Sequence, residues 1–453
     1  MTEGARAGDP RAAGDAGALQ AAARPLNGAG HDYDPLLELV GDAPLVLLGA
    51  SSHGTREFYR ERAEISKRLI REKGFTAVLA EADWPDAYRV DRYVRGRSDD
   101  AGASEALAEF RHFPSWMWRN LDMVEFVEWL RGHNDALEPD APRTGFYGFD
   151  LYSVRASRRA VIDYLEAVDP KAADRARTQY ACLDHFGDNP RGYGVFGGVA
   201  RPCRDAAVAG LVELQESRAV KKARRAGPAA EEAYFNAIQN ARVVRNAEGC
   251  FASMYRDEGQ AWRLREEHMA ATLDDLGAHL RMQDGSAKVA VWAHSLHLGD
   301  ARATDLGKES RVNVGRLARQ QHGDRSILVG FATGRGAVTA ASDWNGPAEK
   351  KPIRPPRPGT IEALFQEVEI ERFLLLCRGR APDPLRRPRL QRGIGVLYHS
   401  ETDEVERARH YLYGRPAEEF DALIYFDSTE PVEPLEETET PSGEVPKTYP
   451  FEV

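Results

Sequence analysis

The sequence of 453 residues predicts an α/β fold, in which a central, mostly parallel β-sheet is flanked by helices and an all-helical lobe is inserted. The first observation is an apolar run at 45–48, a helical pattern over 55–74 and a second apolar run at 75–80. Strand, long helix and strand in this order form the repeating unit of parallel sheets. The second observation is that strand patterns are absent from about 155–283 and resume at 288–293. Helices are therefore expected to interrupt the sheet in sequence.

The composition is that of an acidic globular protein. A net charge of −10 argues against nucleic acid as a partner. No apolar run approaches membrane-spanning length, and the N-terminus lacks the basic-then-apolar pattern of a signal peptide. We therefore expect no membrane partner and a cytoplasmic location. The wide spacing of the cysteines favours reduced thiols over a disulfide framework; they are Cys182, Cys203, Cys250 and Cys377.

Shifts in composition predict the domain organisation. Residues 1–30 are rich in Ala, Gly and Arg without periodicity, which predicts a disordered leader. Residues 31–430 are expected to form one domain, with the helical lobe of about 155–283 inserted into it. Glu and Pro dominate residues 431–453, which predicts an acidic tail that is disordered or draped on the surface.

The first strand–turn–helix unit carries two candidate site residues. His53 lies in the turn, and Thr55 is placed to cap the helix with its hydroxyl. Arg62 lies four residues after Phe58 on the apolar stripe of the helix. A guanidinium on such a stripe needs a carboxylate, an anion or water, so Arg62 and His53 are expected to face the same space. The alternative is a locally bonded turn histidine and an arginine that reaches solvent.

Apolar runs elsewhere also end in side chains suited to chemistry. Four separate runs are followed by His53, by Glu81, by Asp150, and by the pair His294 and His297. Open α/β sheets bind ligands beyond the carboxyl ends of their strands. We therefore expect these side chains to meet at one edge of the sheet.

Aromatic and helical segments supply the predicted substrate-binding residues. Trp116 and Trp118 belong to an aromatic cluster that is typical of a core or a pocket wall. Tyr152 follows Asp150 by two residues. Arg265 and His268 share one helix face through their spacing of three residues. These side chains are expected to shape a binding surface beside the strand ends.

The predicted set suits hydrolysis. A histidine is the usual general base for activating water, which is the role expected for His53. Glu81 would fix the tautomer of that ring, and His294, His297 or Arg62 would donate hydrogen bonds to a developing oxyanion. A serine nucleophile is disfavoured, because the Ser51-Ser52 turn lacks the G-x-S-x-G elbow. An ester or a related carbonyl or phosphoryl bond in a small molecule is the expected substrate.

Metal binding is the alternative reading of the same side chains. Three histidines and a carboxylate form an acceptable zinc or iron site, and His294-x-x-His297 could place both rings on one face of a helical turn. However, the H-E-x-x-H motif of metalloproteases is absent. We expect no cofactor, with a divalent metal ion as the open alternative.

Several sequence blocks resemble one enzyme family. The blocks are Leu48-Gly49-x-x-x-His53-Gly54-Thr55, Ala80-Glu81-Ala82-Asp83-Trp84-Pro85, Gly145-Phe146-Tyr147-Gly148-Phe149-Asp150, Gln239-Asn240-Ala241-Arg242 and Ala293-His294-x-x-His297-Leu298-Gly299-Asp300. Over roughly residues 35–430 the chain resembles the erythromycin esterase family and the wider ChaN-like group. The resemblance implies a sheet flanked by helices and metal-independent cleavage of an ester or lactone. It also implies that His53 activates water, with Glu81, Arg62 and the histidine pair matching family positions.

Two positions depart from the family pattern. Macrolide-cleaving members carry a glutamate three residues before the catalytic histidine, where this chain has Ala50. Ser295-Leu296 stands where Asn-Ser is usual. The departures keep two alternatives to a metal-independent esterase open: a metal-dependent hydrolase that uses the same histidines, and a catalytically weak homologue that binds small molecules.

Overall fold

A computed structural model describes the chain at residues 10–184, 201–254, 256–436 and 448–453. The described residues form 18 α-helices, joined by short 3₁₀ turns, and 11 strands. None of the helices in these ranges combines the length and the apolar character needed to cross a membrane.

The helices are numbered in chain order. They are α1 Pro10–Ala22, α2 Asp34–Val40, α3 Arg56–Lys73, α4 Trp84–Val94, α5 Ala103–Ala106, α6 Leu121–Asp135, α7 Val154–Val168, α8 Pro170–Asp184, α9 Arg201–Glu216, α10 Arg218–Ala223, α11 Pro228–Ser253, α12 Glu258–Asp284, α13 Ser295–Leu298, α14 Asp305–Lys308, α15 Val314–His322, α16 Ile361–Gln366, α17 Asp403–His410 and α18 Pro416–Glu419.

The strands are numbered in the same way. They are β1 Arg24–Pro25, β2 Leu45–Leu48, β3 Ala77–Asp83, β4 Gly145–Asp150, β5 Val289–Trp292, β6 Ser326–Ala340, β7 Glu349–Ile353, β8 Arg372–Leu376, β9 Arg389–Arg392, β10 Tyr411–Gly414 and β11 Ala422–Thr429.

The chain divides into two compact units. Among the described residues, unit one comprises those up to Ile65 together with Ala293–Ser342 and Glu349–Val432. Unit two comprises those of Ser66–Trp292, Asp343–Ala348 and Glu433–Val453.

Unit one is built on strands in the order β1-β8-β11-β6-β2, with β7 also paired to β6. The β2–β6 and β6–β11 pairs are parallel, in a register that sets Leu45 beside Ser326, while β8 runs antiparallel to β11. All four residues of β2 are buried, which explains why this strand reads as a continuous apolar run. A separate antiparallel ribbon is formed by β9 and β10.

Unit two carries three parallel strands, with β3 between β4 and β5. Ala77 of β3 lies beside Gly145 on one side and Val289 on the other. Helices α4 and α6 pack in the same unit, where the ring of Phe126 lies 4.7 Å from that of Trp292. With mostly parallel strands flanked by helices in the described residues, the predicted α/β class is confirmed.

The predicted helical lobe corresponds to helices α7–α12. Every described element between Val154 and Asp284 is helical; residues 185–200 and Tyr255 lie outside the described residues. The longest pair, α11 and α12, pack against each other. Asp257 caps α12 by accepting from the backbone N–H of Gln260, and Gly285 ends it at φ 73°, a left-handed conformation that glycine adopts readily.

The leader and the tail are more ordered than expected. Within the predicted 1–30 leader, α1 buries Leu19, and Asp15 of that helix pairs with Arg387 and Arg389 at 3.0 and 2.6 Å. In the predicted tail, Val432 is fully buried and donates its N–H to Gly54. Long-range contacts order these segments, and composition alone does not reveal such contacts; residues 1–9 and 437–447 lie outside the described residues.

Two of the four cysteines, which were expected to be separate reduced thiols, lie side by side. Cys182 of α8 and Cys203 of α9 have their Cα atoms 5.6 Å apart, a separation that a disulfide can bridge. The packing of α8 against α9 brings the two residues together although 21 positions separate them in sequence. Cys250 and Cys377 are buried thiols, and burial raises the pKa of each to about 12.

Candidate active site

The turn between β2 and α3 holds His53 in a fixed, buried position. The His53 N–H donates to Ile394, and the hydroxyl of Tyr59 donates to the His53 main-chain oxygen at 2.9 Å. Gly54 bonds through its backbone to Thr339, and a Cβ at this position would collide with the Thr339 main chain. The turn therefore has little freedom to move, and glycine is required next to the histidine.

His294 follows the strand β5 closely, with Ala293 as the single residue between them. It occupies the N-cap of the short helix α13, and its ring Nδ1 accepts from the Leu296 N–H at 3.2 Å. A neutral imidazole that accepts at Nδ1 carries its proton on Nε2, so we assign the Nε2–H tautomer. His294 thus presents a donor at the far side of its ring.

His53 and His294 lie together in unit one. Their ring centroids are 5.1 Å apart, and both side chains are buried. The Ser295 N–H, one residue after His294, donates to the Ala50 main-chain oxygen at 2.8 Å. This backbone bond joins the segment that carries His294 to the turn that carries His53.

His297 and Arg62 are buried in the same unit. His297 lies on α13 and is fully buried. The Arg62 Nε donates to the Phe58 main-chain oxygen at 3.2 Å, and its guanidinium lies 4.7 Å from the centre of the Tyr59 ring. Arg62 therefore does not reach solvent, which agrees with a core-facing position on α3.

Unit two contains a second cluster, which consists of Glu81, Asp150 and Arg265. The Arg265 Nε and Nη2 donate to the two Asp150 oxygens at 3.0 and 2.7 Å, and Nη2 also lies 3.1 Å from a Glu81 oxygen. All three side chains are buried. Burial alone would lower the pKa of Arg265, but Asp150 and Glu81 raise it well above its ordinary value. The guanidinium is therefore permanently charged.

Glu81 lies inside a strand, whereas the apolar run predicted it just after one. The strand β3 continues to Asp83, with a register irregularity between Ala80 and Asp83. The polar end of the strand can be buried because Arg265 neutralises Glu81. Asp83 accepts from the Tyr152 and Ser153 N–H groups at 2.7 and 3.1 Å, which holds the segment after Asp150.

Tyr152 and His268 contact the second cluster. The Arg265 guanidinium lies 5.3 Å from the centre of the Tyr152 ring. His268 Nδ1 pairs with the Asn246 amide at 2.8 Å. Burial lowers the pKa of His268 to about 4, although a bond to the Asp150 backbone opposes this effect. His268 is therefore neutral at pH 7.

Both predicted tryptophans are buried in unit two. The Trp118 indole donates to the Glu81 main-chain oxygen at 3.0 Å and packs edge-on against Phe146. Trp116 lies in a 3₁₀ turn next to it in sequence and is 1% exposed. Trp118 thus supports the strand that carries Glu81, which is a core function.

A cavity of about 170 Å³ lies in unit one beside His294. Its apolar wall includes Phe331, Phe365 and Leu423, and its polar wall includes Gln391. Because His294 borders the cavity, a small molecule in it would contact the imidazole.

The described residues contain no group of three or more His, Cys, Asp and Glu side chains arranged to hold a metal ion. The three histidines named in the metal alternative lie in unit one, and Glu81 lies in unit two.

Comparison with known proteins decides the family. The erythromycin esterase family model matches residues 70–429. The chain belongs to the erythromycin esterase family. An erythromycin esterase type II from Escherichia coli is 21% identical over 393 residues, covering 82% of this chain and 90% of that protein. The resemblance proposed from the sequence blocks is therefore confirmed.

Solved structures support the same fold. A Bacillus cereus protein has a TM-score of 0.76 at 20% identity, covering 94% of this chain and 99% of that one. A succinoglycan biosynthesis protein has a TM-score of 0.75 at 21% identity, covering 94% of this chain and 100% of that one. A mutant of the erythromycin esterase EreC in its open conformation has a TM-score of 0.61 at 15% identity, covering 88% of this chain and 93% of that one.

Some residues around the site were not singled out from the erythromycin esterase blocks. Thr339, Ile394 and Val432 fix the His53 turn through backbone bonds, which leave no side-chain pattern in the sequence. Asp83 lies at the end of β3, and the same position at a strand end identifies Asp150 from the sequence.

Proposed function

We propose that this erythromycin esterase family member is a hydrolase that cleaves a carboxylic ester or lactone in a small molecule with histidine-activated water. Membership of the family supports the hydrolase class. The observation that supports cleavage by histidine-activated water is the buried pair His53 and His294. Their ring centroids are 5.1 Å apart, and the hydrogen bond from the Leu296 N–H fixes the tautomer of His294.

The reaction would proceed in two proton-transfer steps. His53 takes a proton from water while the water oxygen bonds to the carbonyl carbon, and the carbonyl oxygen becomes an oxyanion. The Nε2–H of His294 donates a hydrogen bond to that oxyanion. As the tetrahedral intermediate collapses, the bond to the alcohol oxygen breaks, and His53 returns its proton to the leaving alkoxide. The products are the acid and the alcohol.

The roles of the other predicted residues remain predictions. Glu81 as a partner of His53, and His297 and Arg62 as further charge stabilisers, are assignments by family position. In unit two, the charged Arg265 is proposed to bind an acceptor oxygen of the substrate, with Tyr152 and His268 supporting it.

An activity panel tests the proposed reaction. Simple esters, lactones, macrolides and phosphoesters would be incubated with the protein, and acid release followed by pH-stat titration. Turnover of an ester or lactone that survives chelator treatment, in a metal-free sample verified by elemental analysis, is expected. Turnover that disappears with the metal would establish the metal-dependent alternative instead, and turnover of phosphoesters alone would contradict the proposal.

Ala50 favours a second candidate, a homologue that binds small molecules with little catalysis. Ala50 is buried three residues before His53, where macrolide-cleaving members carry glutamate. For a weakened enzyme, Ala50→Glu is expected to raise kcat/KM by about three- to tenfold, since a nearby carboxylate raises the basicity of the imidazole and one pKa unit of added basicity speeds proton transfer at most about tenfold. Absence of cleavage in both the parent and this variant, with ligand binding retained, would favour the binding protein.

A further inference from the structure

The Thr448–Val453 segment lies on the second cluster. Its Val453 main-chain oxygen accepts from Nη1 of Arg265, and the hydroxyl of Tyr152 donates to the Tyr449 main-chain oxygen at 2.9 Å. Val453 is 5% exposed. Both Arg265 and Tyr152 were proposed above to bind substrate, so the segment contacts the residues that a substrate would contact.

Aromatic contacts hold the segment in place. The Phe451 ring lies edge-on to Trp262 of α12 with centroids 5.3 Å apart. The Tyr449 ring lies edge-on to Trp344 at 5.1 Å. Each such pair contributes about 0.5–1.5 kcal/mol, so removal of one ring weakens the hold on the segment without abolishing its hydrogen bonds to Arg265 and Tyr152.

The hydrogen bonds of Arg265 indicate what else could occupy this place. Nε and Nη2 are satisfied by Asp150 and Glu81, which belong to fixed strands. Nη1 is satisfied by Val453. A buried charged donor without an acceptor is costly, so a ligand that displaces the segment has to present an oxygen to Nη1. Trp262 would then be available to an apolar or aromatic group.

We propose that the 448–453 segment occupies, within the chain, a place in unit two that binds a part of the substrate away from the bond that is cleaved, and that this place accepts a further carbonyl oxygen next to an aromatic or bulky apolar group. The proposal rests on the proposed hydrolase function. The segment then acts as an internal competitor, and substrate binding requires its release.

Phe451→Ala tests the competition by removing one aromatic contact. The variant is expected to raise kcat/KM about two- to tenfold, because a larger fraction of molecules has the place open. Tyr449→Ala is a second variant with the same expectation. Tyr413→Ala removes an exposed aromatic ring of unit one and serves as the matched control, with kcat/KM unchanged.

A binding measurement separates this proposal from the failure of the hydrolase proposal. The synthetic peptide Thr-Tyr-Pro-Phe-Glu-Val, the sequence of residues 448–453, would be titrated calorimetrically into each protein, with no need for turnover. Binding to Phe451→Ala that is at least threefold tighter than to the parent, and that is lost in Phe451→Ala/Trp262→Ala, supports the proposal whether or not esters are cleaved. Equal peptide binding and equal kcat/KM in parent and both segment variants would overturn it.

Discussion

At the scale of single residues, His294 combines two functions in one ring. Its Nδ1 caps α13 through Leu296, and the same bond places the proton on Nε2. The helix cap and the proposed oxyanion donor therefore depend on one tautomer. A substitution that keeps the cap and removes the donor would separate the two functions.

His294→Asn is that substitution. Asparagine is a favoured N-cap, so its amide oxygen can accept from the Leu296 N–H. We expect the melting temperature to stay close to that of the parent while kcat falls about 10²–10³-fold, the loss that follows removal of one oxyanion donor. Calorimetry and ester hydrolysis measure the two effects; a kcat equal to that of the parent would remove His294 from its proposed role.

A site residue could be predicted from the sequence when it came directly after a strand. His53 and Asp150 follow short apolar runs, so local pattern and the geometry of parallel sheets were sufficient to single them out. The partners of Arg265 could not be derived in this way. They lie 184 and 115 positions away, at Glu81 and Asp150, and only the tertiary fold brings them together.

At the scale of elements, the turn between β2 and α3 is fixed by later parts of unit one. Gly54 accepts from the N–H groups of Thr339 and Val432, and Ser51 accepts from Ile394. Three segments distant in sequence thus define the position of His53. The helix after the turn was predictable, since α3 ends at Lys73 and Gly74 takes φ 69°. The end of β3 was not predictable in this way, because the buried ion pair between Glu81 and Arg265 lets the strand continue beyond the apolar run to Asp83.

Gly54→Ala is expected to destabilise the protein by about 1–3 kcal/mol, the range for overpacking, because the new Cβ would overlap the Thr339 main chain. Urea unfolding measures the change. Gly132→Ala in α6 is the matched control, since no atom lies within 4 Å of its Cβ position, and alanine there should stabilise by up to about 1 kcal/mol. Equal effects of both substitutions would contradict the close approach at Gly54.

At the scale of the whole molecule, a buried acid couples folding to pH. Burial raises the pKa of Glu419 from 4.5 to about 8, against a hydrogen bond from Gln391 that lowers it, and Asp300 adds to the rise. The folded state therefore holds this proton up to about pH 8, while the unfolded chain loses it near 4.5. The unfolded state binds fewer protons in this window, so stability falls as pH rises through it.

Glu419→Gln removes this ionisation and keeps an oxygen that can accept from Gln391. We expect the stability of the variant relative to the parent to increase from pH 5 to pH 8, by at most about 1.4 kcal/mol per pH unit. Chemical unfolding at both pH values measures the difference. A difference that is the same at pH 5 and pH 8 would show that Glu419 titrates near its ordinary value.

The most direct test of the proposed chemistry is the hydrolysis rate of His53→Ala on the best ester or lactone found in the panel, with folding checked by circular dichroism. We expect kcat to fall about 10²–10⁴-fold in a folded protein, the contribution of a positioned general base. A folded His53→Ala protein that hydrolyses the substrate at the parent rate would contradict the central claim that His53 activates water.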